Sequence, residues 1–222
     1  MRKATNHDTG LLGLIAIVCM IIDHLGAAFF VGETWMRVIG RIAFPLFAWG
    51  IAIGAEHTRN IARYAWRLFI LGVISQPFYM YGMNHPLSKL NVLATLLLGL
   101  LAVAGLKEQK TWISVCAVLA ACFLDMDYGV RGVLLVVLLW AVRDNPLALS
   151  ICFSAFCVFW GRGSGTVWRY HTFTLQLQQC AILALPLMLW PRSTRTRVPR
   201  LLTYAAYPAH LALIFLARQL LY

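Results

Sequence analysis

Two adjacent ionisable residues, Asp23 and His24, lie inside a stretch that is otherwise apolar. The run from residue 11 to residue 31 reads LLGLIAIVCMIIDHLGAAFFV and is long enough to cross roughly 30 Å of hydrocarbon as a helix. A charged side chain in such a span costs on the order of a few kcal/mol, so proteins keep one there when it is paired, hydrated or functional. A neutral imidazole can act as a general base or as a nucleophile. We therefore expect the chemistry of this protein at Asp23 and His24.

Helix geometry decides which partner Asp23 can have. Adjacent residues lie about 100° apart around a helix, so Asp23 and His24 do not face each other. Arg37 and Arg41 are four residues apart in the next apolar run and share a face. We therefore expect Asp23 to pair with Arg41, and Arg37 to join a buried ion network that holds the first two helices in register. His24 would then point into a cavity, and a helix-to-helix hydrogen bond is the structural alternative for it.

The composition indicates a membrane protein that crosses the bilayer several times. Of the 222 residues, 61% are hydrophobic and 12% are charged, whereas roughly a quarter of a soluble domain is charged. We predict an all-α transmembrane bundle of about nine helices that forms one domain over residues 1–222. The predicted spans are 11–31, 35–55, 62–82, 90–106, 112–126, 129–143, 146–160, 174–190 and 201–221. Lysine and arginine are more frequent on the side that carries the N-terminus, which places that terminus in the cytoplasm at a bacterial inner membrane.

Polar residues from several predicted spans fall in one layer, the outer half of the bilayer. At about 1.5 Å of rise per residue, His24 and Arg41 both lie roughly 10 Å below the outer edge. The third, fourth and ninth spans add further polar side chains to this layer: Ser75, Gln76, Asn91, Thr95 and His210. Arg41, Gln76 and Asn91 carry donors that could stabilise an oxyanion. His210 follows a proline by two residues, so a helix kink with a hydrogen-bonded imidazole is the alternative explanation for it.

Three arginines recur every four residues at the start of the third span: Arg59, Arg63 and Arg67. They form a basic stripe at a helix N-terminus, where unpaired backbone N–H groups also favour anions. Tyr64 adds an aromatic ring nearby. We predict a phosphate site here for a nucleotide-bearing cofactor, and coenzyme A would suit it because its long thin arm can thread inward. The alternative is positive-inside topology with lipid headgroup contact.

The six cysteines indicate neither a metal site nor disulfides. They all lie in apolar runs, none forms a CxxC motif, and no histidine is spaced with them as metal ligands are. We expect them to be small buried hydrophobic residues. The formal net charge of +11 is explained by the positive-inside rule, so we expect no nucleic-acid partner.

Several motifs together resemble those of the TraX family. They are LIAIVCMIIDHLG (14–26), GRIAFPLFAWG (40–50), TRNIARYAWRL (58–68), NVLATLL (91–97), YGVRG (128–132) and YPAHL (207–211). The resemblance implies N-terminal acetylation of F-type pilin and a distant similarity to membrane acyltransferases that use cytosolic acetyl-CoA. It also implies that His24, in the DH motif, is the catalytic histidine. The other residues at family-like positions are Arg41, Arg67, Asn91, Thr95, Tyr128 and His210.

The predicted function is acetyl transfer from acetyl-CoA to an acceptor at or across the membrane, such as the N-terminal amine of pilin. His24 would be the general base or the acyl carrier, with Asp23 beside it, and no metal is expected. One alternative is a glycan O-acetyltransferase. A second is a proton-coupled transporter in which Asp23, His24 and His210 relay protons. A third is a non-enzymatic pilus assembly factor in the membrane.

Overall fold

The computed structural model describes residues 5–162, 164–170, 173–192 and 196–221. The predicted cytoplasmic N-terminus, residues 1–4, lies outside this part of the chain. The described residues are mostly helical, as predicted, and belong to two compact units. The first unit is Met1–Phe47 with Val142–Arg197, and the second is Ala48–Ala141 with Val198–Tyr222. A single domain over residues 1–222 stays a prediction from the sequence.

The helices follow the predicted apolar runs closely, and a short hairpin lies between α8 and α9. In chain order the elements are α1 (Thr9–Ala28), α2 (Thr34–Gly40), α3 (Ala43–His57), α4 (Ile61–Met83), α5 (Val92–Lys107), α6 (Thr111–Phe123), α7 (Gly129–Val142), α8 (Pro146–Gly161), β1 (Thr166–Tyr170), β2 (Phe173–Gln176), a 3₁₀ helix (Leu177–Ala184), α9 (Leu185–Leu189) and α10 (Arg200–Leu221). In the first unit α1 packs on α2, and α2, α8 and α9 each contact the 3₁₀ helix. In the second unit α4 packs on α5 and α10, and α5 also packs on α6.

A turn at residues 41–42 divides the predicted second span, 35–55, into α2 and α3. Proline cannot donate a backbone hydrogen bond and is best tolerated in the first turn of a helix, where that bond is not needed. Pro45 falls in the first turn of α3, so the helix restarts just before it. The division places Arg41 at the C-terminal cap of α2, where its backbone N–H donates to the carbonyl of Arg37.

Asp8 fixes the start of α1 and ties it to a distant segment of the same unit. Its carboxylate accepts a hydrogen bond from the backbone N–H of Leu11 at 3.1 Å, as an N-cap residue does. It also accepts from the backbone N–H of Thr196 at 3.0 Å and from the Thr196 hydroxyl at 2.7 Å. Burial opposes ionisation of Asp8, but these hydrogen bonds and the nearby Arg192 outweigh burial and lower the pKa of the carboxyl.

The predicted eighth span, 174–190, is not one continuous helix. Strands β1 and β2 form an antiparallel hairpin in which Trp168 is paired with Leu175, and the chain continues through the 3₁₀ helix into the short α9. Pro186 is the second residue of α9, where its missing N–H is tolerated, so the regular helix begins there rather than earlier. The predicted run therefore contributes a strand, a tight helix and one short α-helix.

In the second unit, the loop between α6 and α7 pairs with the segment that precedes α5. The backbone N–H of Leu90 donates to the carbonyl of Asp125 at 2.8 Å, and the N–H of Asp127 donates to the carbonyl of Leu90 at 3.0 Å. Beneath this pairing lies a core of small and branched side chains from α5, α6, the loop and α7: Ala102, Ala117, Ala121, Met126 and Val133. The pairing anchors the loop that carries Asp127 beside the first turn of α5.

Two helices in the described part of the chain are long and apolar enough to cross a membrane, by length and composition. They are Thr9–Ala28 and Thr34–His57, the second taken across the turn at residues 41–42. Shorter apolar helical segments of 10–17 residues are Val92–Lys107, Thr111–Phe123, Gly129–Val142, Pro146–Gly161 and Leu177–Leu189. The bundle of about nine transmembrane helices stays a prediction.

Candidate functional site

The predicted ion network of Asp23, Arg37 and Arg41 is present in the first unit. Arg41 Nη2 donates to both carboxylate oxygens of Asp23, at 2.9 and 2.8 Å. Arg37 Nη1 lies 3.0 Å from Asp23 Oδ2 and also donates to the Asp23 backbone carbonyl at 3.0 Å. The side chains of Asp23 and Arg41 are 10% and 11% exposed, so solvent screens their pairing weakly. The network joins α1 to α2, as the spacing of the arginines predicts.

Two glycines allow α1 and α2 to approach closely at this network. A Cβ added to Gly40 would overlap the side chain of Asp23, and one added to Gly26 would lie 2.8 Å from Met36 Cβ. Both contacts would be closer than a real Cβ allows, so larger residues at Gly26 and Gly40 would push the two helices apart. The small residues therefore set the spacing at which Arg41 can reach Asp23 with a single nitrogen.

Gln178 is the fourth member of the network and comes from the 3₁₀ helix. Arg41 Nη1 donates to Gln178 Oε1 at 3.1 Å, and the backbone N–H of Gln178 donates to Ser164 Oγ at 3.0 Å. The Gln178 side chain is buried, and its Nε2 has no hydrogen-bond partner among the described residues. Sequence reasoning missed this residue, although a glutamine inside a predicted span was a signal that could have found it.

His24, the predicted catalytic residue, follows Asp23 on α1 and is half-buried. The one-residue offset turns its imidazole about 100° away from Asp23 around the helix. Both carboxylate oxygens of Asp23 accept hydrogen bonds from Arg41. Asp23 is therefore paired with the arginines and does not orient the His24 ring as the aspartate of an Asp–His pair would. The pairing of Asp23 with Arg41 agrees with the prediction from the spacing, and the catalytic role of His24 stays a prediction.

In the second unit, Gln76 and Asn91 form a hydrogen-bond network between α4 and the start of α5. Asn91 Nδ2 donates to Gln76 Oε1 and to the Gly72 carbonyl, each at 2.8 Å, and Gln76 Nε2 donates to the Lys89 carbonyl at 2.8 Å. Asn91 Oδ1 accepts from the backbone N–H of Leu93 at 3.0 Å and caps α5. Their amide groups thus hold backbone in place, whereas the sequence predicts oxyanion stabilisation for them.

Asp127 is the centre of a second polar cluster in the same unit. The Tyr79 hydroxyl donates to Asp127 Oδ1 at 2.6 Å, and Lys89 Nζ lies 3.5 Å from the same oxygen. The hydroxyl of Thr95, a predicted site residue, donates to the Asp127 backbone carbonyl. Tyr128, another predicted site residue, has a positive φ of 65°, a conformation that costs a non-glycine residue energy and is often found at functional sites.

His85 stands at the edge of the Asp127 cluster, in the loop after α4. Its ring stacks on Tyr79 with 4.6 Å between the centroids. Burial and the nearby Lys89 lower the pKa of His85, so the imidazole is neutral at pH 7. The sequence did not single out Tyr79 or Lys89, because their partner Asp127 is distant in the chain, nor His85, which joins the cluster through Tyr79.

His210 is buried in α10, two residues after Pro208. Its Nδ1 lies 2.8 Å from the carbonyl oxygen of Ala206, which can only accept, so Nδ1 carries the proton when the ring is neutral. The ring of Tyr207 contacts it edge-on at 5.4 Å between centroids. Both the kink interpretation and a role in a polar site fit a buried imidazole of this tautomer. Ser75, from the same predicted layer, is fully buried on α4.

The predicted basic stripe is partly exposed at the start of α4. Arg59 and Arg63 are exposed, and Asn60 caps the helix by accepting the Arg63 backbone N–H at 2.7 Å. Arg67 donates to the Tyr204 hydroxyl at 3.3 Å, with its guanidinium 6.0 Å from the centre of that ring. Tyr64 instead lies against Gly54 of α3, where an added Cβ would come within 3.0 Å of its ring. Tyr64 is therefore packed against α3, whereas Arg59 and Arg63 are exposed.

A cleft of about 530 Å³ opens between α4, α5 and the loop that joins them. Its walls are mostly apolar: Leu68, Phe69, Gly72, Val73, Gln76, Pro77, Met80, Tyr81, Leu87, Leu90, Asn91, Leu93, Ala94 and Leu97. Gln76 and Asn91 belong to this lining, but their amide groups are hydrogen-bonded to each other and to backbone carbonyls. The cleft is therefore suited to an apolar group rather than to a charged one.

These features define a class of protein: a basic, apolar helical chain that keeps ion-paired and amide side chains buried in its interior. A family model described as TraX protein matches residues 9–218. The chain belongs to the TraX family, as its motifs suggest.

Known relatives share between a quarter and a third of their aligned residues with this chain. It is 29% identical over 170 residues to the probable fimbrial assembly protein FimC, serogroup H1, of Dichelobacter nodosus, covering 69% of this chain and 70% of that relative. It is 28% identical over 157 residues to Protein TraX of Escherichia coli, covering 65% of this chain and 62% of that relative. The match thus spans about six tenths of the length of the TraX relative. No solved structure matches the chain significantly.

Proposed function

We propose that this chain is an integral membrane acyltransferase that crosses the bacterial inner membrane several times, with its N-terminus in the cytoplasm. The apolar composition, the two helices of membrane-spanning length and the buried ion network support this proposal. A bundle of about nine helices and a distant similarity to membrane acyltransferases belong to the same proposal. Buried ion pairs are expensive in lipid and tend to be kept for function.

The proposed reaction moves an acetyl group from acetyl-CoA to the amine at the N-terminus of a pilin. The names of two relatives, a probable fimbrial assembly protein and Protein TraX, support a pilus context. A glycan hydroxyl is the alternative acceptor, and it would be acetylated by the same chemistry.

His24 would move the proton in this reaction. The acceptor nitrogen attacks the thioester carbon, the C–N bond forms, and the carbonyl electrons move to oxygen. When they return, the C–S bond breaks. His24 takes the proton from the acceptor nitrogen and delivers it to the leaving thiolate, so that free coenzyme A and the acetylated acceptor result. In the covalent variant, an imidazole nitrogen attacks the thioester carbon first, the C–S bond breaks, and the thiolate of coenzyme A leaves with the imidazole proton. The acceptor nitrogen then attacks the acetyl carbon, the bond to the imidazole breaks, and the imidazole takes the proton of the acceptor.

The exposed arginines at the start of α4 would bind the phosphates of coenzyme A. Arg59 and Arg63 are exposed, and no acidic side chain of the described residues forms an ion pair with either. Arg67 is held by Tyr204 and would contribute its charge at the same helix end. Tyr64 would support the helix from within rather than stack on the adenine. Arginine forks match phosphate oxygens well, which favours this assignment.

One observation carries the proposal: a half-buried histidine on an apolar helix directly follows, in the chain, a carboxylate that two arginines contact. The second arginine leaves a net positive charge on this network, and such charge could stabilise a developing oxyanion while the histidine transfers a proton. A non-enzymatic assembly factor would need none of these groups near a histidine. The name of the FimC relative, probable fimbrial assembly protein, supports testing that alternative in parallel.

The test compares wild type with His24→Ala after purification in detergent. Radiolabelled acetyl-CoA is supplied with a pilin N-terminal peptide in one arm and a glycan acceptor in the other. We expect acetyl transfer by wild type and its loss in His24→Ala, with unchanged thermal unfolding. His57→Ala is the matched control, because His57 is exposed at the end of α3.

Wild-type turnover by a normally folded His24→Ala protein would contradict the catalytic assignment. Absence of transfer by wild type, together with substrate flux that follows a proton gradient in vesicles, would favour the transporter with Asp23, His24 and His210. An intact pilus phenotype in cells that carry His24→Ala would favour the assembly factor.

A further inference from the structure

We infer that Gln178 and Arg37 complete a site at the Asp23 ion network, one residue before the proposed catalytic histidine in α1, that binds the negatively charged oxygen of an acyl group. The ligand would be the thioester oxygen of acetyl-CoA as it becomes an oxyanion, or the carboxylate of an acyl-group analogue such as acetate. The identity of this ligand rests on the proposed acyl transfer. The arrangement of the side chains is given by the contacts within the first unit alone.

The orientation of the Gln178 amide follows from its partner. An arginine side chain has only donors, so the Gln178 atom that lies 3.1 Å from Arg41 Nη1 must be the carbonyl oxygen. The backbone N–H of Gln178 is fixed separately by Ser164 Oγ at 3.0 Å. With its backbone and its amide oxygen both held, the side chain has its Nε2 on the other branch of the amide, close to the arginine cluster.

This Nε2 group is a buried donor without an acceptor in the described residues. The residue as a whole is 8% exposed, so bulk water does not compensate the missing hydrogen bond. A buried donor without an acceptor destabilises the fold, and folded proteins keep few of them. A ligand oxygen that accepted from Nε2 would recover this free energy, which makes the donor a natural contact for a substrate.

The charge of the cluster favours the same ligand. Arg41 neutralises Asp23 through two hydrogen bonds, and Arg37 brings a second positive charge to the same carboxylate. The three ionised groups therefore carry one net positive charge. The Arg37 side chain is 30% exposed, so its guanidinium is the more accessible of the two. A fixed donor together with a positive charge in a water-poor site is the arrangement that stabilises a developing oxyanion.

The decisive variant is Gln178→Glu. A glutamate keeps an oxygen for Arg41 and nearly the same shape, but it replaces the N–H donor with a second acceptor and cancels the net charge. Gln179→Glu is the matched control: Gln179 is the next residue of the same 3₁₀ helix, and its Oε1 accepts from the Gln176 backbone N–H at 2.9 Å. Arg37→Gln tests the charge without changing the donor.

Two measurements are made on each protein in detergent. The first is the shift in thermal unfolding temperature caused by sodium acetate, with sodium chloride at the same ionic strength as reference. The second is acetyl transfer from acetyl-CoA. We expect acetate to stabilise wild type and Gln179→Glu but not Gln178→Glu, and Arg37→Gln to show a smaller shift. We expect kcat to fall roughly 10²–10³-fold in Gln178→Glu, with little change in KM for acetyl-CoA.

The outcomes separate this inference from the proposed function. If wild type transfers acetyl groups and Gln178→Glu does so at the same rate, the inference is overturned and the proposed function stands. If acetate stabilises wild type but not Gln178→Glu, and wild type transfers no acetyl group, the anion site stands and the proposed acyl transfer is rejected. If neither acetate nor Gln178→Glu has any effect on the protein, the inference is overturned. Unfolding of Gln178→Glu below the temperature of Gln179→Glu would show a structural role instead.

Discussion

The Asp23 network makes an unequal prediction for its two arginines. Arg41→Gln removes two charge-assisted hydrogen bonds to Asp23, at 2.9 and 2.8 Å, and one to Gln178 at 3.1 Å. Breaking a buried ion pair from one side costs about 3–5 kcal/mol, because the remaining charge is left uncompensated. Arg37 still lies 3.0 Å from Asp23 in this variant, so we expect a loss of about 3 kcal/mol, at the lower end of that range.

Arg37→Gln should be much milder. Its side chain is 30% exposed against 11% for Arg41, and Arg41 would continue to hold both oxygens of Asp23. We expect a loss of about 1 kcal/mol, as for a partly exposed ion pair. The double variant should lose more than the sum of the two single variants, because it leaves the buried carboxylate of Asp23 without a cation.

The assay is the free energy of unfolding in detergent micelles, from denaturant titrations followed by tryptophan fluorescence. Asp23→Asn added to the double variant provides a control, since removing the stranded charge should restore part of the loss. Equal losses for the two single arginine variants, or additive losses in the double variant, would refute the view that Arg41 is the principal counter-ion of Asp23.

Two further predictions test the packing around this network and the start of α1. Gly40→Ala should destabilise the protein by about 1–3 kcal/mol because its Cβ would overlap the Asp23 side chain. Gly13→Ala is the control and should not destabilise it, because there is open space around Gly13. Thermal unfolding compares the two variants, and equal effects would contradict the close approach of α1 and α2. Asp8→Ala should cost about 1 kcal/mol at neutral pH through loss of the helix cap. Because the folded-state pKa of Asp8 is lowered, its stabilising effect is present above the usual carboxyl pKa of 3.8 and is lost as the pH falls through the lower folded value. Unfolding midpoints measured across acidic pH should therefore converge for wild type and Asp8→Ala, and a difference that grows on acidification would contradict this sign.

The amino-acid order alone predicts the positions of most helices and one long-range pair. Apolar runs and their ends predict α1, α4, α5 and α10 to within about three residues, because burial or lipid contact requires continuous hydrophobic surface. The pairing of Asp23 with Arg41 followed from depth and helix phase alone. Two charges in neighbouring apolar helices have few other partners, so the physics of desolvation leaves little choice.

The partners of polar groups that could bond to many neighbours, by contrast, are visible in the folded chain and not in its sequence. Gln76 and Asn91 hold backbone in place, and Asp127 recruits Tyr79 and Lys89 across the loops. Gln178 joins the ion network from a run that hydropathy alone assigns to a membrane span. An amide or hydroxyl can satisfy its hydrogen bonds with almost any neighbour, so its partner depends on which segments meet in space. Local periodicity fixes which face of a helix is apolar, but it carries no information about those meetings.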